Sequence, residues 1–82
     1  MIINVVMFGI AREIFGEGKV EVEFSHTGKS IVSSLKSLLE LRQPGLKGLG
    51  SYMIAVNNEY AADDHIINEK DEVAVIPPVS GG

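Results

Sequence analysis

The last two residues of the sequence present the group best suited to chemistry. Gly81 and Gly82 have no side chains, so this end offers the terminal α-carboxylate of Gly82 as its reactive group. A backbone without β-carbons fits into a channel that excludes every other residue type. We therefore expect Gly82 to react, and Gly81 to allow its insertion into a narrow site on another protein.

Histidines and carboxylates elsewhere in the chain do not predict an active site. His26 and His65 lie in different polar loops without a serine or cysteine motif around them, so a hydrolase triad lacks support. Asp63 and Asp64 precede His65, but adjacent residues rarely converge on one ion, and capping of a short turn explains them better. We expect no metal, no bound cofactor and no self-contained active site, which is typical of a protein acted on by others.

A phosphate-binding loop is a weak alternative for Gly28-Lys29-Ser30, which opens a predicted helix. The second glycine of that motif would be Gly28, and the motif needs another glycine five residues before it, where position 23 is Glu. We therefore interpret Ser30 as the helix cap.

Composition excludes several classes of protein. The 82 residues suffice for one domain, and the net charge of −4 argues against nucleic-acid binding, which requires a basic surface. No apolar run reaches the roughly 18 residues of a membrane span, and a signal peptide is not evident. The absence of cysteine excludes thiolate sites and is compatible with a reducing cytosol, so we expect a cytoplasmic protein.

The residues before the glycines predict how the carboxylate is presented. A strand over Glu72–Ile76 runs into Pro77 and Pro78, which cannot continue a sheet ladder and favour an extended, polyproline-like exit. We therefore predict a folded domain over residues 1–76 and an extended tail over residues 77–82.

Hydrophobic periodicity predicts the remaining elements of an α+β domain. The Gly9–Gly18 stretch predicts a single helical turn or a wide loop, and Asn57-Asn58 predicts a tight turn because asparagine tolerates left-handed backbone. A main helix is predicted from the Ser30 cap to about Arg42. The predicted strands before the last one are Ile2–Phe8, Lys19–Phe24, Tyr52–Val56 and a short Glu59–Ala61.

The stretch from Asp71 to Gly82 resembles the end of the small subunit of molybdopterin synthase, the sulfur-carrier family called MoaD. Further matching segments are Phe8 with Arg12-Glu13, Ser30-Ile31 and Val56-Asn57-Asn58-Glu59. One departure is Glu69-Lys70-Asp71, where the family commonly has Asp-Gly-Asp, so the type of that turn is open. The resemblance implies a β-grasp, ubiquitin-like fold: a mixed sheet with the first and last strands parallel at its centre and one main helix packed on one face.

The resemblance also implies a function and partners. In the family, an adenylyltransferase of the ubiquitin-activating class uses ATP and Mg²⁺ to activate the terminal carboxylate, here that of Gly82, for conversion to a thiocarboxylate. The tail then enters the large subunit of molybdopterin synthase, in a heterotetramer, and donates sulfur to cyclic pyranopterin monophosphate during molybdenum cofactor biosynthesis. The residues expected to contact partners are Phe8, Tyr60, Ile76, Pro77, Pro78 and Val79.

Several alternatives stay open at this point. Phe8 and Ile76 are equally compatible with an ordinary core, and Arg12-Glu13 suits either an ion pair to the sheet or a partner contact. A sulfur carrier of thiamine biosynthesis also ends in Gly-Gly, although the Pro-Pro pair and the length favour the molybdopterin subunit. A ubiquitin-like modifier joined to lysines through Gly82 is the alternative from another class.

Overall fold

The computed structural model describes residues 1–24 and 30–78, which form a five-stranded mixed sheet with strand order β2-β1-β5-β3-β4. β1 and β5 pair in parallel at the centre, and the other neighbours pair antiparallel. This arrangement confirms the predicted α+β, β-grasp architecture. The elements are β1 (Ile2–Met7), α1 (Gly9–Phe15), β2 (Lys19–Glu23), α2 (Val32–Arg42), a 3-10 helix (Pro44–Leu49), β3 (Met53–Val56), β4 (Glu59–Tyr60) and β5 (Val73–Ile76).

One apolar core lies between α2 and one face of the sheet. The alternation of β1 buries Ile3, Val5 and Met7 on this face, because successive strand side chains point to opposite sides. Leu35 and Leu39 of α2 are fully buried with them, four residues apart on one helix face. Each such side chain contributes roughly 1.5–3 kcal/mol by leaving water, so the core on this face holds the domain together.

The start of α2 differs from the prediction, because its cap residue is Ile31 and no side chain caps it. The predicted cap at Ser30 is wrong: the carbonyl of Ser30 instead accepts from the Ile67 N–H at 2.7 Å. The N–H groups of Val32 and Ser33 donate to the carbonyls of His65 and Asp63 at 3.0 and 2.9 Å. Backbone from a distant segment thus satisfies the groups that a serine cap serves in an isolated helix.

The stretch after β1 forms more structure than a single turn or loop. α1 spans 7 residues and is capped by Gly16, which has a left-handed φ of 76° and donates its N–H to the Arg12 carbonyl at 2.8 Å. Among the described residues the one ion pair joins Lys36 and Asp63 at 2.9 Å, so Arg12 and Glu13 form no ion pair to the sheet there. None of the described helices combines the length and apolar character needed to cross a bilayer.

Two turns are joined side by side at the end of the sheet away from the tail. Asn57 and Asn58 have φ of 53° and 68°, which confirms the predicted tight turn between β3 and β4. The Asn57 side chain donates to the Asp71 carboxylate at 3.0 Å and accepts from the Glu72 N–H at 2.9 Å. Lys70 has no positive φ, so the turn before β5 does not need the glycine that the family commonly has there.

Hydrogen bonds hold the pKa of Asp71 below its ordinary value. The Asn68 N–H donates to this carboxylate at 2.8 Å and makes the largest contribution, followed by the Asn57 side chain. Both donors favour the charged form, so the folded state binds this proton less readily than the unfolded state. The stabilisation is therefore complete above the ordinary pKa and is lost as pH falls through the lowered one.

We expect Asp71→Asn to lower the melting temperature at pH 7, since an amide replaces the charged acceptor of these hydrogen bonds. The difference from the parent protein should shrink as pH falls below about 4, where the parent also loses its carboxylate. Thermal unfolding followed by circular dichroism from pH 2 to 7 measures this. Asp64→Asn, at an exposed position outside this network, is the control. An unchanged difference at pH 2 would contradict the assignment.

Candidate functional site

β5 brings the chain to the predicted site. It lies between β1 and β3, ends at Ile76 and continues directly into Pro77, which is half-buried, and Pro78, which is exposed. Pro77 cannot donate to a ladder, so the strand ends where the sequence predicts. Val79, Gly81 and Gly82 lie outside the described residues, and their roles stay predictions.

Phe8, Tyr60 and Ile76 all line one shallow depression on the sheet face opposite the core. Phe8 is 50% exposed and Tyr60 is 68% exposed, while Ile76 is half-buried. The depression has a volume of about 400 Å³. Phe8 is therefore not part of the core, contrary to one of the two open alternatives.

The strand register explains the shape of this depression. Ala74 of β5 pairs with Val6 on one side and with Ala55 on the other, and Ala55 pairs with Tyr60. Side chains of paired residues share a face, so these small residues form a floor between Phe8, Tyr60 and Ile76. A floor of small residues with larger apolar side chains around it suits an apolar side chain from a partner. The floor residues Val6, Ala55 and Ala74 were not predicted as site residues.

The polar edge of the depression carries one amide side chain and one carboxylate. Asn58 and Glu72 line it beside the apolar residues, and both are exposed. Ile76 also pairs with Met53, which is 46% exposed, so the apolar surface extends along β3. Exposed apolar residues that lie together in this way are typical of interaction surfaces.

The histidines and carboxylates of the described residues are not arranged as a metal site. No three histidine, aspartate or glutamate side chains lie close enough in residues 1–24 and 30–78 to hold a metal ion. His65 is exposed at a turn, whereas His26 lies outside the described residues.

Tyr52 shows the largest pKa change among the described residues. Burial raises the pKa of Tyr52 far above its ordinary value, and the hydrogen bond from its hydroxyl to Glu40 adds to the effect. Tyr52 does not line the depression, and Lys36 lies 5.5 Å above its ring. We therefore interpret it as part of the packing between α2 and β3.

Comparison with known proteins identifies the family. The ThiS family model matches residues 5–82 of this chain. The molybdopterin synthase sulfur carrier subunit of Arabidopsis thaliana is 36% identical over 81 residues, which cover 98% of this chain and 82% of that protein.

Solved structures support the same family. SAMP1 from Haloferax volcanii superposes with a TM-score of 0.83 at 25% identity, with 100% of both chains covered. A putative molybdopterin converting factor subunit 1 from Pyrococcus furiosus has a TM-score of 0.81 at 25% identity, with 96% of this chain and 99% of that chain covered. The chain therefore belongs to the ThiS family, as a ubiquitin-like sulfur carrier related to the sulfur carrier subunit of molybdopterin synthase.

Proposed function

We propose that this chain is the sulfur carrier subunit of a molybdopterin synthase, with Gly82 as its reactive terminal residue. The observation that carries the proposal is the course of β5, which leads from the centre of the sheet past the apolar depression into Pro77 and Pro78. A central strand is held on both edges, so the tail starts from a rigid base next to a docking surface. The likeness to the molybdopterin synthase sulfur carrier subunit of Arabidopsis supports the choice of this pathway.

The chemistry of a carboxylate explains why such a carrier needs an activating partner. Oxide is a poor leaving group, so a free carboxylate does not react with sulfur donors. A partner enzyme of the ubiquitin-activating class, using ATP and Mg²⁺, forms an acyl adenylate at Gly82 and releases pyrophosphate. A sulfur donor then displaces AMP from the carbonyl carbon, and the product is a thiocarboxylate that is ionised at neutral pH. This chain itself binds neither ATP nor the metal.

The second partner in the proposal is the large synthase subunit, which accepts the tail within a heterotetramer. There the thiocarboxylate sulfur attacks cyclic pyranopterin monophosphate, and two such deliveries form the dithiolene of molybdopterin. In this proposal the acids and bases of the reaction belong to the large subunit. Phe8, Tyr60 and Ile76 dock the folded domain, and Gly81 allows the tail to enter the channel.

A protein modifier is a second candidate, favoured by the likeness to SAMP1, whose name denotes a small archaeal modifier protein. Conjugation would join the same Gly82 carbonyl to a lysine instead of to sulfur. Intact mass after incubation with activating enzyme, ATP and a sulfur source separates the two. Exchange of one oxygen for sulfur supports the carrier, whereas adducts with other proteins support the modifier. Formation of the thiocarboxylate without sulfur transfer to the pterin would indicate another pathway, such as thiamine biosynthesis.

We expect deletion of Gly82, or addition of one residue after it, to abolish sulfur transfer while the melting temperature stays nearly unchanged. The prolines end the ladder, so we expect the residues beyond them to add little to stability. Either change removes the reactive carbon or displaces it by about 3.5 Å, the length of one extended residue. Molybdopterin formation with purified partners and thermal unfolding measure the two effects. An extended variant that still makes molybdopterin with its added residue intact would refute the terminal thiocarboxylate.

We expect Ile76→Lys to weaken binding to the large subunit at least about thirtyfold, since it places a charge in the centre of a desolvated contact. Tyr60→Lys, at a more exposed position, should do the same with less effect on folding. Ile66→Lys is the matched control, because Ile66 is 65% exposed and does not line the depression. Titration calorimetry measures binding, and circular dichroism checks the fold. Equal loss of binding for Ile66→Lys, or full binding by Tyr60→Lys, would contradict this docking surface.

A further inference from the structure

Gly9 and Pro77 lie close together just beyond the ends of β1 and β5. A β-carbon placed on Gly9 would lie 3.2 Å from Cγ of Pro77, closer than such atoms normally approach. A side chain at position 9 would therefore press against the proline ring, which would have to shift by a few tenths of an ångström. Gly9 also has a left-handed φ of 53°, which other residues adopt only with strain.

The contact continues the parallel register of the two central strands. β1 and β5 pair through Met7 and Val75, and the Phe8 N–H reaches the Val75 carbonyl at 3.4 Å. The same spacing places Gly9 beside Pro77, where β1 has already turned into α1. Pro77 has no N–H for a ladder bond, so ring packing takes over where hydrogen bonding stops.

This packing explains why Pro77 is half-buried although it follows the last strand, while Pro78 is exposed. The fixed φ of proline and the contact with Gly9 act together on the same residue. The fixed φ sets the local backbone conformation, and the packing against Gly9 sets where the ring lies on the folded domain. Together they define the direction in which the chain leaves the sheet at Pro78.

We propose that Gly9 is a positioning residue for the tail: it provides the flat seat on which Pro77 packs, and so it directs residues 79–82 towards the partner's site. The effect on the reaction of Gly82 rests on the proposed function, whereas the packing of Pro77 against Gly9 does not. A reacting group misplaced by about 1 Å can lose a hundredfold in rate. Gly9→Ala should therefore impair reaction of Gly82 more than docking of the domain.

The chain offers matched controls for this contact. Gly16 also has a left-handed φ, of 76°, but a β-carbon there would meet nothing within 4 Å. Gly16→Ala thus imposes similar backbone strain without touching the tail. Pro78→Ala likewise removes one proline restraint, but of a ring that does not contact Gly9.

The position of the tail can be tested with spin labels. The chain has no native cysteine, so engineered cysteines are the sites that the labels react with. Nitroxides at Ser37→Cys on α2 and Ser80→Cys in the tail allow pulsed EPR to measure the distribution of distances between them. We expect Gly9→Ala to shift this distribution and Gly16→Ala to leave it as in the parent. In a Pro77→Ala background, Gly9→Ala should cause no further shift, because the ring it displaces is gone. Pro77→Ala alone should broaden the distribution more than Pro78→Ala.

The functional test measures thiocarboxylate formation with the activating enzyme. We expect Gly9→Ala to lower kcat by about tenfold to a hundredfold with little change in KM, because the substitution misplaces Gly82 and leaves the exposed side chains of the folded domain unchanged. Gly16→Ala should keep the parent kcat. Equal distance distributions for the two glycine variants, together with equal broadening by the two proline variants, would overturn the positioning role. A parent protein that accepts no sulfur while the distances behave as expected would instead refute the proposed function alone.

Discussion

The parallel pairing of β1 with β5 is the contact on which the rest of this structure depends. Val5 pairs with Val73, so the pairing closes a loop that contains almost all of the domain. Both residues are fully buried, and α2 covers the same face. Contacts this distant in sequence carry a large entropic cost of closure and tend to form late in folding. We therefore expect the base of the tail to become ordered late, together with the rest of the domain.

In this topology the two faces of the sheet also have different roles. The face under α2 supplies the apolar core, and the opposite face carries the depression around Ala55 and Ala74. Because β5 is central, its inward residues Val73 and Val75 anchor the strand while its outward residues form the floor. A surface built on a central strand is stiff, and a stiff surface loses little entropy when a partner binds.

The sequence was sufficient for the elements whose signal is local. Strict alternation predicted β2, and the Asn57-Asn58 pair predicted the tight turn, because each pattern depends on neighbouring residues alone. The cap of α2 could not be predicted in this way. Its acceptors are the carbonyls of His65 and Asp63, about 30 positions along the chain, and carbonyl groups are the same in every residue. α1 was underestimated because its glycine-rich surroundings suggested a loop.

The residues of the candidate site also divide into those with a local signal in the sequence and those without one. Gly82, Pro77 and Pro78 were predicted as site residues from residue type and order, and family likeness added Tyr60. The alanines of the floor gave no signal, because a small residue in a strand has no chemistry of its own. The packing of Pro77 against Gly9 could be found only from the structure, since nothing in the sequence relates these two residues.

The backbone cap of α2 bears on how this domain can vary between relatives. The N–H groups of Val32 and Ser33 are satisfied by carbonyls, so the exposed side chains of residues 63–65 can change without exposing the helix end. An insertion or deletion in the same segment would shift those carbonyls out of reach and leave buried donors unpaired. Natural variation here should therefore accumulate as substitutions at constant length. Amide hydrogen exchange at the first turn of α2 should then report the opening of residues 63–67, because the N–H groups of Val32 and Ser33 lose their acceptors when that segment moves away.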